Sequence, residues 1–375
     1  MKVCIHVQHL LGSGHLVRMR RLAHSLQIAG HRVCLLSGGL LKGDTIFETV
    51  QLPVVKTRPG NFTTLLDHSG VAVDDAWKQR RLTILLDHLD RLRPDVLVVE
   101  TWPFGRRQLE FEILPMLDHV RGWKKPPSVV TSIRDVLQER KLSRRMETLE
   151  RLRQYVAMVL VHGDSRLVDL SASFPEAARV PCPVHYSGYI SEDTGHHPDS
   201  FENSGEILVS AGGGATGDRL LETAVESASV DSGMQWRVLL GQRVPNVLAK
   251  QLKSRQRPNL VVEENRSDFS EMLAGCRVSV SQFGYNTATD LLRAGCPAVV
   301  VPYAADGETE QATRARRFAS LGRVIDLPET RLSPKALTDA VQLASERPMI
   351  SIEADLDGAR GSVLLLEQLY SKTRT

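Results

Sequence analysis

Two Rossmann-like, doubly wound α/β domains facing a cleft, each built on a parallel sheet, are the architecture that this 375-residue chain predicts. Three observations carry the prediction. Short β-branched or apolar runs alternate with longer amphipathic stretches, the alternation restarts after a polar segment at 191–205, and the length suits two domains of roughly 100–200 residues. Strands alternating with helices require crossover connections, which are right-handed and pair the strands in parallel.

In the first half, VCIHV (3–7), RVCLL (32–36), DVLVVE (95–100), SVVTSI (128–133) and AMVLVH (157–162) read as strands. Between them, 16–29, 77–92 and 136–155 carry apolar residues at the three- and four-residue spacing of helices. In the second half the strands are EILVSA (206–211), WRVLLG (236–241), NLVVEE (259–264), RVSVSQ (277–282) and PAVVVPY (297–303). The domains are therefore 1–190, a linker at 191–205, 206–355, and a C-terminal stretch at 356–375 whose helix, 361–370, could pack back on the N-terminal domain. Ligands of doubly wound sheets gather beyond the strand C-termini, so the two strand-end surfaces define the cleft.

Composition narrows the class. The chain is 42% hydrophobic and 24% charged, with 27 glycines that follow no period, which excludes disordered and collagen-like chains. Cys4, Cys34, Cys182, Cys276 and Cys296 show no C-x-x-C spacing, so neither a disulfide framework nor a zinc site is expected. MKVCIHVQHLLGSGH lacks the apolar core of a signal peptide, and no stretch approaches ~18 apolar residues. A cytoplasmic protein is expected. Residues 1–190 hold 27 Lys and Arg against 19 Asp and Glu, and the remainder holds 20 against 25. A basic half beside an acidic half suits two domains that meet different partners.

The first strand runs into GSGHLVRMRRLAHSL, where Gly12, Gly14 and His15 precede a helix. Val17 stands where a dinucleotide fingerprint needs glycine, so NAD binding is disfavoured. A glycine turn at a helix N-terminus admits an anionic or polar ligand, and the near-neutral pKa of a histidine there suits a general base. In ILVSAGGGATGD, Gly212, Gly213 and Gly214 form a cradle for a diphosphate, without the G-K-[ST] ending of a P-loop. In 281–322 a strand ends at Gly284 and a helix carries Asn286, Thr287 and Asp290. Asp290 can accept both ribose hydroxyls, and Glu310 and Gln311 open another helix where they could hold sugar hydroxyls. Acidic residues in a first turn also complement the helix dipole, which leaves that loop open to either reading.

Taken in this order, the motifs resemble the GT-B glycosyltransferases, in particular the group around the bacterial lipid-linked N-acetylglucosaminyltransferase that completes the peptidoglycan precursor (family 28). The chain also resembles an uncharacterised bacterial group of predicted glycosyltransferases. The first resemblance implies that ENRSDFSEMLAGCRVSVSQFGYNTATD places Asn265 and Arg266 beside the donor base and Asp290 at the acid that holds the ribose. It puts Gly212–Gly214 at the diphosphate loop and Glu310-Gln311 where the family has a Gln-Gln pair that reads the donor sugar. Asp290 is one methylene shorter than the family's usual Glu. G-x-G-H-x-x-R, here Gly12, Gly14, His15 and Arg18, also resembles the UDP-sugar hydrolase of pseudaminic acid biosynthesis, which uses the corresponding histidine with water.

The expected activity is metal-independent transfer of a hexosyl group from a nucleotide-diphosphate sugar, a UDP-sugar, to an acceptor hydroxyl with inversion. The catalytic base would be His15, with Asp135 or Glu100 as alternatives. Trp102, Arg106, Arg134 and His162, at the ends of first-domain strands, would bind a saccharide or lipid-linked acceptor. The alternatives are UDP-sugar hydrolysis and non-catalytic nucleotide-sugar binding. Residues 134–153, with seven Lys and Arg against four acids, could touch anionic lipid at the inner membrane face. Without interleaved aromatics or a recognised motif, nucleic acid is not an expected partner.

Overall fold

A computed structural model describes residues 1–10, 14–41, 43–58, 61–191, 205–211, 217–230, 233–347 and 350–373. The chain divides into two compact units. The first comprises Met1–Ser165, Asp169–Ile190 and Asp357–Thr375, and the second Arg166–Val168 and Ser191–Leu356. Most of the linker expected at 191–205 lies outside the described residues.

The first unit contains β1 (Lys2–Val7), β2 (Arg32–Ser37), β3 (Glu48–Gln51), an antiparallel pair β4 (Lys56–Arg58) and β5 (Asn61–Leu66), then β6 (Val96–Glu100), β7 (Ser128–Arg134), β8 (Met158–His162) and β9 (Val184–Tyr186). Its main sheet runs β3-β2-β1-β6-β7-β8-β9, and every ladder in it is parallel. Helices cover both faces, which explains strands that are apolar throughout rather than alternating. α2 (Asp75–Leu92), α3 (Glu110–Arg121) and α4 (Leu142–Tyr155) bury Leu85, Leu89, Ile113, Leu117 and Leu152 on one face. α1 (Gly14–Ile28) buries Met19, Leu22 and Leu26 on the other.

In the second unit β10 (Glu206–Ser210), β11 (Gln235–Leu240), β12 (Leu260–Glu264), β13 (Val278–Ser281), β14 (Ala298–Val300) and β15 (Ile325–Asp326) form a parallel sheet in the order β12-β11-β10-β13-β14-β15. Its helices are α5 (Asp218–Val230), α6 (Asn246–Lys253), α7 (Phe269–Gly275), α8 (Tyr285–Ala294), α9 (Glu310–Ser320) and α10 (Pro334–Glu346). Leu221, Val225, Leu337 and Val341 pack with Ile207, Val238 and Val280 of the sheet. The last helix, α11 (Gly358–Lys372), belongs to the first unit and lays Val363 and Leu366 into the core beside α1.

All ten strands read from the sequence form. The helix read at 136–155 is shorter, because side chains capture its first amide groups: Val136 N–H donates to Asp135 Oδ1 (2.8 Å) and Leu137 N–H to Ser173 Oγ (2.9 Å). Asp74 caps α2 by accepting from Trp77 N–H at 2.7 Å.

The sheet order places the sites. In each unit the first strand lies at a reversal of strand order, with β2 and β6 flanking β1 and β11 and β13 flanking β10. Such switch points open a crevice beyond the strand C-termini. In one unit this is the space after Val7 and Glu100, and in the other the space after Ser210 and Ser281.

Candidate active site

At the first switch point a carboxylate is held by three donors. Glu100, the last residue of β6, is 2% exposed. Its Oε1 accepts from His15 Nδ1, from Arg18 Nη2 and from Thr101 Oγ1, each at 2.6 Å. His15 and Arg18 are one helical turn apart at the start of α1, which lets both reach one acceptor. Glu100 Oε2 is buried without a hydrogen bond among the described residues, with Arg106 Nε at 3.9 Å.

Burial alone would raise the Glu100 pKa. His15, Arg18 and Arg106 outweigh that cost and hold the carboxyl well below its ordinary range. For His15 burial dominates in the other direction, and with the charges of Arg106 and Arg134 it overcomes the pull of Glu100 and lowers the pKa to about 3. The near-neutral value expected for this histidine is therefore not what its surroundings give. The imidazole is neutral at working pH, and an ionised Glu100 at Nδ1 assigns the proton to that nitrogen. Nε2 carries the lone pair. The His15 side chain keeps 17% exposure.

The other first-unit candidates divide by burial. Arg106 and Arg134 are partly exposed, and both lie close enough to act on His15. Trp102 is fully buried, its indole N–H donating to Glu110 Oε1 (3.3 Å) and its ring edge-on to Tyr155, so it offers no face to a sugar. His162 is likewise 0% exposed, bonded through Nε2 to Ser132 Oγ (2.7 Å) and through Nδ1 to Ser187 Oγ (3.0 Å). Burial and the Arg18 charge push its pKa well down. Asp135, the alternative base, is buried and accepts from Tyr189 Oη (3.2 Å) and from Val136 N–H. Gly14 opens α1, and Gly12 lies outside the described residues.

The second switch point is built around the N-terminus of α8. Gly284 precedes the helix in extended backbone, and a Cβ there would meet nothing within 4 Å. Partly exposed Asn286 and Thr287 occupy the first turn, where amide groups have no intrahelical acceptor. Asp290 follows Asn286 by four residues on the same helix face. Gln311 Oε1 accepts from Phe283 N–H (3.0 Å) and Tyr303 N–H (3.1 Å), locking together the loops after β13 and β14 and leaving its amide nitrogen to donate to a ligand. Glu310 is 8% exposed, and its N–H donates to Glu308 Oε1.

Arg266 is exposed, and its fork already grips Asp268 (Nε 2.8 Å, Nη2 2.5 Å), which raises its pKa. Its Nη1 lies 3.7 Å from Glu263 Oε1. The sequence reading missed Ser281, at the end of β13, whose buried hydroxyl has no hydrogen-bond partner among the described residues. Gly212, Gly213 and Gly214 lie outside those residues.

Two doubly wound units with switch points of this kind are the plan of the GT-B fold. Solved structures agree over the whole chain. MurG from Acinetobacter baumannii superposes with a TM-score of 0.62 at 16% identity, covering 98% of this chain and 100% of that one. The glycotransferase of kitacinnamycin gives 0.65 at 18% identity, covering 98% of each. Residues 208–355 match the glycosyltransferase family 28 C-terminal domain. A UDP-N-acetylglucosamine–N-acetylmuramyl-(pentapeptide) pyrophosphoryl-undecaprenol N-acetylglucosamine transferase of Allorhizobium ampelinum is 26% identical over 161 residues, which cover 42% of this chain. The chain thus spans less than half, 43%, of that curated relative. Residues 208–355 therefore carry a glycosyltransferase family 28 C-terminal domain, and the chain as a whole has the fold of the GT-B glycosyltransferases it superposes on.

Proposed function

We propose that the protein transfers a sugar from a UDP-sugar to an acceptor hydroxyl, without a metal ion and with inversion. The observation that carries this reading is the neutral His15 seated on the ionised, triply bonded Glu100 at a switch-point crevice. The acceptor O–H proton passes to His15 Nε2 as the oxygen bonds to the anomeric carbon, and the anomeric C–O bond breaks to release UDP. Glu100 stabilises the imidazolium as it forms and keeps the imidazole in one tautomer, as the carboxylate of a catalytic triad does. A single displacement with inversion needs a base and no protein nucleophile, and the neutral His15 on Glu100 supports that course.

The second unit would take the nucleotide. Amide groups at the start of α8 would meet the diphosphate, as would those of the loop at Gly212–Gly214, and Asp290 would meet the ribose. Gln311 would donate to the sugar through its amide nitrogen. A lipid-linked acceptor would bring the protein to the inner membrane face, with exposed Arg140, Lys141 and Arg144 near the start of α4 as basic contacts.

A second reading is UDP-sugar hydrolysis, favoured by the burial of Trp102 and His162, which removes two of the four acceptor candidates. Product analysis separates the two. Incubation with UDP-sugars should yield UDP and a glycoside only when an acceptor is supplied, whereas free sugar and UDP in equal amounts without acceptor would establish the hydrolase.

A further inference from the structure

We propose that Thr101 is a positioning residue, held in a left-handed backbone conformation so that its hydroxyl fixes Glu100 and, through it, His15. The inference rests on the reading of His15 as the base. Three described non-glycine residues have positive φ, namely Arg93, Thr101 and Arg106. Arg93 is the C-cap of α2, an ordinary place for that conformation. The other two bracket a single turn after β6, and both address Glu100. A β-branched residue at φ 66° is an outlier that persists only where its surroundings over-determine it.

They do so here. Thr101 N–H donates to Ser132 O (2.8 Å), Thr101 O accepts from Gly105 N–H (3.0 Å), and Thr131 Oγ1 donates to Trp102 O (2.9 Å). A Cβ on Gly105 would approach Thr101 Cγ2 to 2.9 Å, so glycine at 105 makes room for the threonine. Glycine would relieve the strain at 101, and threonine stands there with its hydroxyl 2.6 Å from Glu100 Oε1.

The carboxylate has an alternative partner. Oε2 faces Arg106 Nε at 3.9 Å, a gap that a modest rotation of the carboxylate would close. That rotation would draw Oε1 away from His15 and loosen the imidazole. The Thr101 hydroxyl is the third donor on Oε1, and it holds the carboxylate against this turn.

The test compares Thr101→Gly with Thr101→Ser. Thr101→Gly should keep its melting temperature and its affinity for UDP, lose roughly 10- to 100-fold in kcat, and change the acid limb of the kcat profile. Thr101→Ser, which keeps the hydroxyl, should restore most of the rate. Nitrogen-15 NMR of labelled histidine, assigned with His15→Gln, reads the same effect without substrate. The His15 Nδ1–H signal should shift or broaden in Thr101→Gly and return in Thr101→Ser. A Thr101→Gly protein with wild-type kcat, or with an unchanged His15 signal, overturns the proposal. Full turnover by His15→Gln would overturn the reading of His15 as base instead, and the NMR comparison still decides what holds Glu100.

Discussion

At the scale of single residues, chemistry at this site depends on which side chains keep access to solvent after burial has claimed its share. His15 retains it, and His15→Ala should cost roughly 10²- to 10⁴-fold in turnover while UDP affinity, measured by calorimetry, stays unchanged. Equal turnover would remove His15 from the mechanism. Gly284 gives a complementary test on the donor side. An alanine there meets nothing within 4 Å and suits the extended backbone, so Gly284→Ala should melt like the wild type. It should nevertheless weaken UDP binding by crowding the approach to the helix terminus; unaltered affinity would place the diphosphate elsewhere. His15, Glu100, Gly284 and Asp290 were legible in the sequence because each ends a strand or lies in the turn and helix that follow one. Trp102 and His162 also follow or end strands, yet both turn into the core. A strand-end position cannot say which way a side chain points once the next turn departs from extended geometry, as it does at Thr101.

At the scale of elements, the long buried strands announced themselves as apolar runs, and the short edges did not. β3 reads ETVQ and is mostly exposed, and β9 has three residues, so neither carries an apolar run to recognise. α3, which carries Pro115 in its interior, is not among the helices read from the sequence. The C-terminal helix α11 shows how two glycines determine an interface. A Cβ on Gly358 would lie 2.2 Å from Gly188 O, and one on Gly361 2.2 Å from Ser187 O. These glycines let the helix lie directly against the backbone after β9, where Ser187 bonds His162 and Ser362 Oγ reaches the same ring at 3.4 Å. Gly361→Ala should therefore cost about 1–3 kcal/mol of unfolding free energy through overpacking, measured by urea denaturation. Leu364→Ala, at a half-exposed position of the same helix, should cost far less; equal losses would show that helix propensity, not the close approach, governs this element.

At the scale of the whole molecule, the buried charges predict how the fold responds to acid. His15, lowered to about 3, and His162, pushed well below its ordinary value by burial, are both neutral in the folded state. Unfolded, each would take up a proton as pH falls through about 6.5. Groups with depressed folded pKa values stabilise fully above the unfolded pKa and lose that contribution as pH falls towards the folded one. Stability should thus decline below pH 6.5, before any carboxylate titrates, with proton uptake on unfolding approaching the two of this pair. Each bound proton is worth about 1.4 kcal/mol per pH unit. Near the ordinary Glu range a second decline should begin, because Glu100 is held well down by its cationic neighbours. Glu112 joins it, since Arg81 and His6 outweigh burial and lower its pKa to about 2. On the alkaline side, burial raises Cys182 to about 11 and Tyr186 to about 12. Those contributions are complete below the ordinary thiol and phenol values and are lost above them. Unfolding free energy from urea titrations should therefore be level between pH 7 and 8.5 and fall towards pH 5. The fall should be smaller in His162→Gln, measured as a slope, even though that variant starts less stable. A slope of zero between pH 6 and 5 in the wild type would mean that neither histidine is held neutral, and the assignment of the His15 lone pair to Nε2 would fall with it.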